Sequence, residues 1–146
     1  MTVIAWDGKT LASDRRAITG GTMMFSTTKI ARHGDTLVAV SGEAGRIRAF
    51  LDWLEKGRDP KDYPMRQDSD GGIALVIHRS GRIERFERLP EPILVEDAKH
   101  AIGCGREYAM AVLHLGFDAV KAVEVAIALD PNCGNGIDRL QFEVVV

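Results

Sequence analysis

Residues 1–14 read MTVIAWDGKTLASD, and the register of this stretch decides what the chain can be. Val3, Ile4, Ala5 and Trp6 form an apolar run, Asp7-Gly8 supplies turn chemistry that needs φ > 0, and Thr10 to Ser13 run back. A turn centred on Gly8 predicts a hairpin in which Thr2 faces Asp14. A hydroxyl one residue behind a removable methionine, set opposite a carboxylate, raises the prospect of a catalytic N-terminus.

The bulk composition leaves that prospect open. The chain has 146 residues, enough for one domain over 1–146, and its 45% hydrophobic and 27% charged residues are those of an ordinary globular protein. A net charge of −2 offers no basic excess for phosphates, so neither nucleic acid nor a membrane surface is expected as a partner. Arg79, Arg82, Arg85 and Arg88 cluster, but Glu84 and Glu87 interrupt them, which reads as a solvated strand face. No run approaches a membrane span, and no basic-then-apolar leader opens the chain, so a cytoplasmic location is expected. Cys104 and Cys133 are too few for a disulfide framework and read as reduced thiols. No C-x-x-C or H-x-x-x-H pair occurs, and His33, His78, His100 and His114 stand singly. Neither a metal nor a cofactor is therefore expected.

Along the chain, Gly20-Gly21 and His33-Gly34-Asp35 separate three short extended pieces. Leu37 to Val40 has the composition of a strand buried on both faces. A helix opens at Gly45-Arg46-Ile47, carries Ile47, Phe50, Leu51 and Leu54 on one face, and ends at Gly57. RDPKDYPMRQDSDGG reads as a surface loop. GIALVIH and RIERFE flank Arg79-Ser80-Gly81 as a second hairpin, and a short strand covers His100 to Gly103. Helices follow over 107–115 and 118–129, the latter with Asp118 as N-cap. LQFEVVV alternates and predicts a last strand. This order implies an α+β fold, a four-layer αββα sandwich of two antiparallel sheets.

Four blocks in order resemble the proteasome β-subunit and the HslV-type protease, members of the N-terminal-nucleophile (Ntn) hydrolase family. GKTLASDRRAITGG is similar to that family's second-strand signature. TTKIARHGDTLVAVSGEAG matches its lysine-bearing strand, the next strand and the glycine turn before the first helix. IGCGREYAMAVL matches a G-S-G-x-x-Y-A block, and DPNCGNGID a D-x-x-S-G block, each with cysteine in place of serine. Together the blocks cover most of the chain.

The resemblance implies a threonine-type peptidase. Thr2 Oγ would be the nucleophile after Met1 removal, and its own α-amine, with an ordinary pKa near 8, the general base. Lys29 would stand beside the hydroxyl as a fixed positive charge, held by Asp14. The Gly42 N–H would stabilise the oxyanion. Asp130, Cys104 and Cys133 would support the amine from behind. Ala17, Thr27, Val40 and Ala44 fall where the family lines its substrate side pocket, and their small uncharged character implies a preference for an apolar residue. The partners implied are a polypeptide substrate, further copies of the chain in a homo-oligomer (a ring being possible), and an ATP-dependent unfoldase.

The pattern also departs from the family. The first hairpin has shorter arms, and a thiol is a poorer hydrogen-bonding partner than a hydroxyl. The second helix expected after Gly57 is reduced or missing, which would thin one helical layer and leave apolar sheet surface to be covered by self-association. Two other functions stay open: a non-catalytic structural or assembly subunit, and an Ntn amidase acting on a small molecule. Taken singly, Asp14 and Lys29 read as a surface ion pair, Gly42 as a turn residue, and the cysteines as small core residues.

Overall fold

The computed structural model describes residues 2–66 and 72–144. Its fold is α+β, with three helices and three antiparallel sheets among those residues. The opening hairpin joins β1 (Ile4–Trp6) to β2 (Thr10–Asp14). With β10 (His100–Ile102) and β11 (Ile137–Gln141) these strands form a sheet in the order β10-β1-β2-β11. A two-stranded ribbon pairs β3 (Arg16–Thr19) with β4 (Met23–Ser26). The third sheet runs β5 (Ile30–His33), β6 (Thr36–Val40), β7 (Ala74–His78), β8 (Ile83–Phe86) and β9 (Ile93–Val95) in sequence order.

Side-chain alternation along the strands builds three cores. Val3, Ala5 and Ala12 point to one face of the first sheet. There they meet Ala109 and Leu113 of α2 (Arg106–His114) and Ala122, Val123 and Ala126 of α3 (Ala119–Leu129). Ile4, Trp6, Leu11 and Ile102 point the other way and pack on Leu37, Ala39, Leu75, Ile77 and Ile83 of the five-stranded sheet. The opposite face of that sheet, through Val38, Val40, Val76 and Phe86, packs on Phe50 and Trp53 of α1 (Arg46–Glu55). Leu37 to Val40 therefore serves two cores at once, as its uninterrupted apolar run implied. The small residues of α3 let it lie close on the sheet, and Asp118 caps it by accepting the Lys121 N–H at 2.8 Å.

Three sequence expectations are corrected. The hairpin register is offset by one: Ile4 pairs with Ser13, Ala5 with Ala12 and Trp6 with Leu11. The Asp7 carboxylate accepts the N–H groups of Lys9 (2.8 Å) and Thr10 (2.7 Å), which places Asp7 opposite Thr10 and makes Gly8-Lys9 the loop, with Gly8 at φ 97°. Val3, not Thr2, thus lies across from Asp14, with the Asp14 N–H donating to the Val3 carbonyl at 3.1 Å. The last strand is IDRLQ rather than LQFEVVV. Its partner β2 begins at Thr10, so the ladder ends at Gln141; Val145 and Val146 lie outside the described residues.

The proline-containing segment is also not simply a surface loop. Pro60–Asp62 forms one 3-10 turn, and Tyr63 and Met65 then turn inward at 5% and 0% exposure. Trp53 and Tyr63 rings meet edge-on at 4.9 Å, and Trp53 Nε1 donates to the Asp59 carbonyl at 2.7 Å. Burying such side chains contributes roughly 1.5–3 kcal/mol each, so these two residues cover part of the layer that the sequence predicts to be thinned by a reduced or missing helix. The rest of that segment, residues 67–71, lies outside the described residues. No helix among the described residues is long and apolar enough to cross a membrane.

Candidate active site

Asp14 ends β2 at a point where four donors converge on its fully buried carboxylate. Oδ1 accepts Lys29 Nζ at 2.8 Å and the Val3 N–H at 3.1 Å; Oδ2 accepts the N–H groups of Gly134 at 3.1 Å and Arg16 at 3.4 Å. One side chain thereby ties the start of β1, the entry to β5 and the loop after α3. Lys29 is itself only 7% exposed at its side chain, so this is a buried ion pair and not the surface pair that the two residues suggest in isolation. Because of the register offset, Asp14 reaches the chain start through the Val3 N–H, not by facing Thr2.

Thr2 is buried between β10 and the first turn of α2. Its carbonyl accepts the Gly105 N–H at 3.2 Å, and its N–H donates to Cys104 Sγ at 3.3 Å. Glycine is required beside it. Gly103 has φ 95°, and a Cβ there would stand 2.1 Å from the Thr2 carbonyl oxygen. We expect Gly103→Ala to displace Thr2 and to lower stability by about 1–3 kcal/mol from backbone conformation alone, with the steric clash in addition. A thermal unfolding midpoint equal to that of the parent protein would contradict this fit.

Behind Thr2, Cys104 Sγ lies 3.8 Å from Cys133 Sγ. The hydrogen bond from Cys133 holds the Cys104 thiol down at about 7, against the opposing effect of burial. Cys133 is pushed strongly up, first by its hydrogen bond to Cys104, then by burial and by the neighbouring negative charges. Burial raises the Asp130 carboxyl, but hydrogen bonds from the Asn132 backbone, Cys104, the Asn132 side chain and Cys133 outweigh it and hold the group below its ordinary value. The loop carrying Asp130 and Cys133 is clamped by Arg16, whose guanidinium donates to the Pro131 carbonyl at 2.6 Å and to Asn135 Oδ1 at 2.9 Å.

All of this opens on a cleft of about 890 Å³. Thr2, Lys29, Gly42, Cys104, Ala17, Thr27, Val40 and Ala44 all line it. Asp14, Asp130 and Cys133 form the layer behind. Gly42, at φ 115°, lies in the turn between β6 and α1, and the preceding Ser41 is fixed by its N–H donating to the Ile73 carbonyl at 2.8 Å. The cleft also contains Arg16, Arg85 and Arg106, which sequence reasoning did not assign to it. Arg85 reaches it from the second hairpin and Arg106 from the start of α2. For Arg16 the nearby Asp14, two positions earlier, was a usable signal; for Arg85 there was none.

Solved structures share this fold. Over 95% of this chain and 97% of its own, HslV from Trypanosoma brucei superposes with a TM-score of 0.70 at 19% identity. BPH from Thiobacillus denitrificans gives 0.65 at 19% identity over 97% and 98% of the two chains, and it has also been solved in complex with epoxomicin. The Anbu (Gly-1) mutant from Hyphomicrobium sp. strain MC1 gives 0.70 at 12% identity over 98% of this chain and 82% of that one. The chain has the HslV fold. No protein-family model matches it, and no curated protein does.

Proposed function

We propose that the chain is a threonine-type peptidase of the proteasome β-subunit/HslV kind, folded over residues 1–146 as a four-layer αββα Ntn-hydrolase domain. The observation that carries this reading is the seating of Thr2 in a cleft that also holds Lys29, itself paired at 2.8 Å with a fully buried Asp14. A buried ion pair costs desolvation, so its retention beside a hydroxyl fits a role in catalysis.

Once Met1 is removed, Thr2 Oγ attacks a peptide carbonyl and passes its proton to the α-amine. The ammonium then protonates the leaving amine, leaving an acyl ester on Thr2. Water, deprotonated by the same amine, adds to the ester; the C–Oγ bond breaks, the acid product leaves, and the ammonium returns its proton to Thr2 Oγ. Lys29 holds a positive charge beside Oγ, and the Gly42 N–H donates to the oxyanion. Cys104 Sγ, the acceptor for Thr2 N at 3.3 Å, takes the place of a serine hydroxyl. The Cys133 hydrogen bond lowers the pKa of the Cys104 thiol, which strengthens it as an acceptor for the Thr2 N–H. Ala17, Thr27, Val40 and Ala44 leave room for an apolar substrate side chain.

Self-association is supported by the ribbon β3–β4, which exposes Met23, Met24 and Phe25 at 65%, 51% and 41%. A homo-oligomer in the cytoplasm, with polypeptide as substrate and an unfoldase as supplier, completes the proposal.

Epoxomicin provides the test. Incubated with protein lacking Met1, it is expected to leave one covalent adduct on Thr2 and to block hydrolysis of fluorogenic peptides. Protein that lacks Met1, assembles by native mass spectrometry, and neither forms the adduct nor cleaves peptide would instead be the assembly subunit.

A further inference from the structure

We propose that Cys104, Cys133 and Asp130 form a site for a thiophilic divalent cation, zinc foremost, and that the freed Thr2 α-amine is its fourth ligand. The second half of this statement rests on the peptidase reading; the first does not. One ligand atom from each of the three side chains lies within 4.8 Å of the others. Two thiolates on one tetrahedral zinc, each about 2.3 Å from the metal, stand about 3.8 Å apart. Cys104 Sγ and Cys133 Sγ are separated by 3.8 Å. Thr2 N lies 3.3 Å from Cys104 Sγ, about 0.3 Å short of the roughly 3.6 Å N–S edge of a tetrahedral zinc, a gap that a small shift of the freed amine closes. The cysteines are 29 residues apart in the chain, so no local spacing announces them as a pair. The fold alone brings them together.

The surroundings suit a cation. Cys133 and Asp130 are buried at 2% and 9% exposure, and Asp14 adds negative charge against Cys133. A divalent ion would supply the positive charge that lets both thiols ionise, each losing its proton to solvent as it ligates. Outer contacts already orient the donors: the Asn132 N–H holds Asp130 Oδ1 at 2.9 Å, and the Arg16 clamp fixes the loop bearing Cys133. Cys104 lines the cleft, which is the path of entry. Two thiolates, a carboxylate and an amine favour zinc over magnesium or calcium, which take oxygen ligands. An ion so bound occupies the amine lone pair needed to deprotonate Thr2 Oγ, so it inhibits reversibly.

Cobalt(II), which reports thiolate ligation and tetrahedral geometry optically, is the probe. Under a non-thiol reductant the full chain is expected to bind one Co²⁺ with a thiolate-to-metal charge-transfer band. That band should fall by about half in Cys104→Ser and in Cys133→Ser, each checked for folding by circular dichroism. Absence of the band in folded parent protein, or its persistence unchanged in Cys133→Ser, overturns the site. The visible bands are expected to differ between Met1-bearing and Met1-free protein; identical spectra overturn ligation by the amine. Zinc should suppress epoxomicin adduct formation in the Met1-free chain, and a chelator should restore it. Cobalt binding by both thiolates in a protein that never cleaves peptide would sustain the site and sink the peptidase. Peptide cleavage without the cobalt band would do the reverse.

Discussion

Thr2→Ala should abolish peptide hydrolysis, lowering kcat/KM by at least about 10³-fold, the scale of loss when a covalent nucleophile is removed. The substitution takes away one hydroxyl and one methyl from a residue that is 2% exposed, so some stability goes with it. The main-chain contacts that seat the residue, to Gly105 and Cys104, do not depend on the side chain. The fold should therefore persist, and circular dichroism with native mass spectrometry checks that it does. Thr2→Ser restores the oxygen and should recover measurable turnover, which separates chemistry from packing. Full activity in Thr2→Ala, in protein whose Met1 is shown by mass to be absent, would leave the nucleophile elsewhere.

The second large effect is expected at Asp14. Asp14→Asn removes the negative charge that Lys29 faces at 2.8 Å and sets an amide among the N–H donors of Val3, Gly134 and Arg16. Breaking one half of a buried pair costs about 3–5 kcal/mol because the remaining charge is left uncompensated. In a chain of this size that is a fall of roughly 10 °C in Tm. Activity should fall as well, since Lys29 and the loop carrying Asp130 and Cys133 both lose their common anchor. Combining Asp14→Asn with Lys29→Met removes both charges and should recover much of the stability without recovering activity. A single variant with an unchanged Tm would show that the pair is not the anchor described above.

Sequence legibility tracked the range of the forces involved. Elements set by local chemistry were read well: α1 from the spacing of Ile47, Phe50 and Leu54, the N-cap at Asp118, and the doubly buried β6 from its unbroken apolar run. The Asp7 carboxylate was the local detail that misled. Centring the turn on Gly8 ignored that the Asp7 carboxylate accepts two backbone N–H groups, and this shifted the whole ladder by one residue. Burial of Tyr63 and Met65 was not legible either, because a polar and proline-containing neighbourhood disguises two residues whose partners, Trp53 and Phe86, come from other elements.

By itself the sequence determined which chemical groups are present and in what order: a threonine behind Met1, a lysine entering a strand, a glycine turn, and two cysteines far apart in the chain. Only the tertiary structure decided which of them meet. Asp14 contacts residues 11, 15 and 120 positions away, and Cys104 lies 29 from Cys133 and 102 from Thr2. Such contacts arise from sheet pairing and helix packing, which no local pattern encodes. They turned an apparent surface ion pair into a buried anchor and two isolated thiols into a cluster behind the Thr2 N–H.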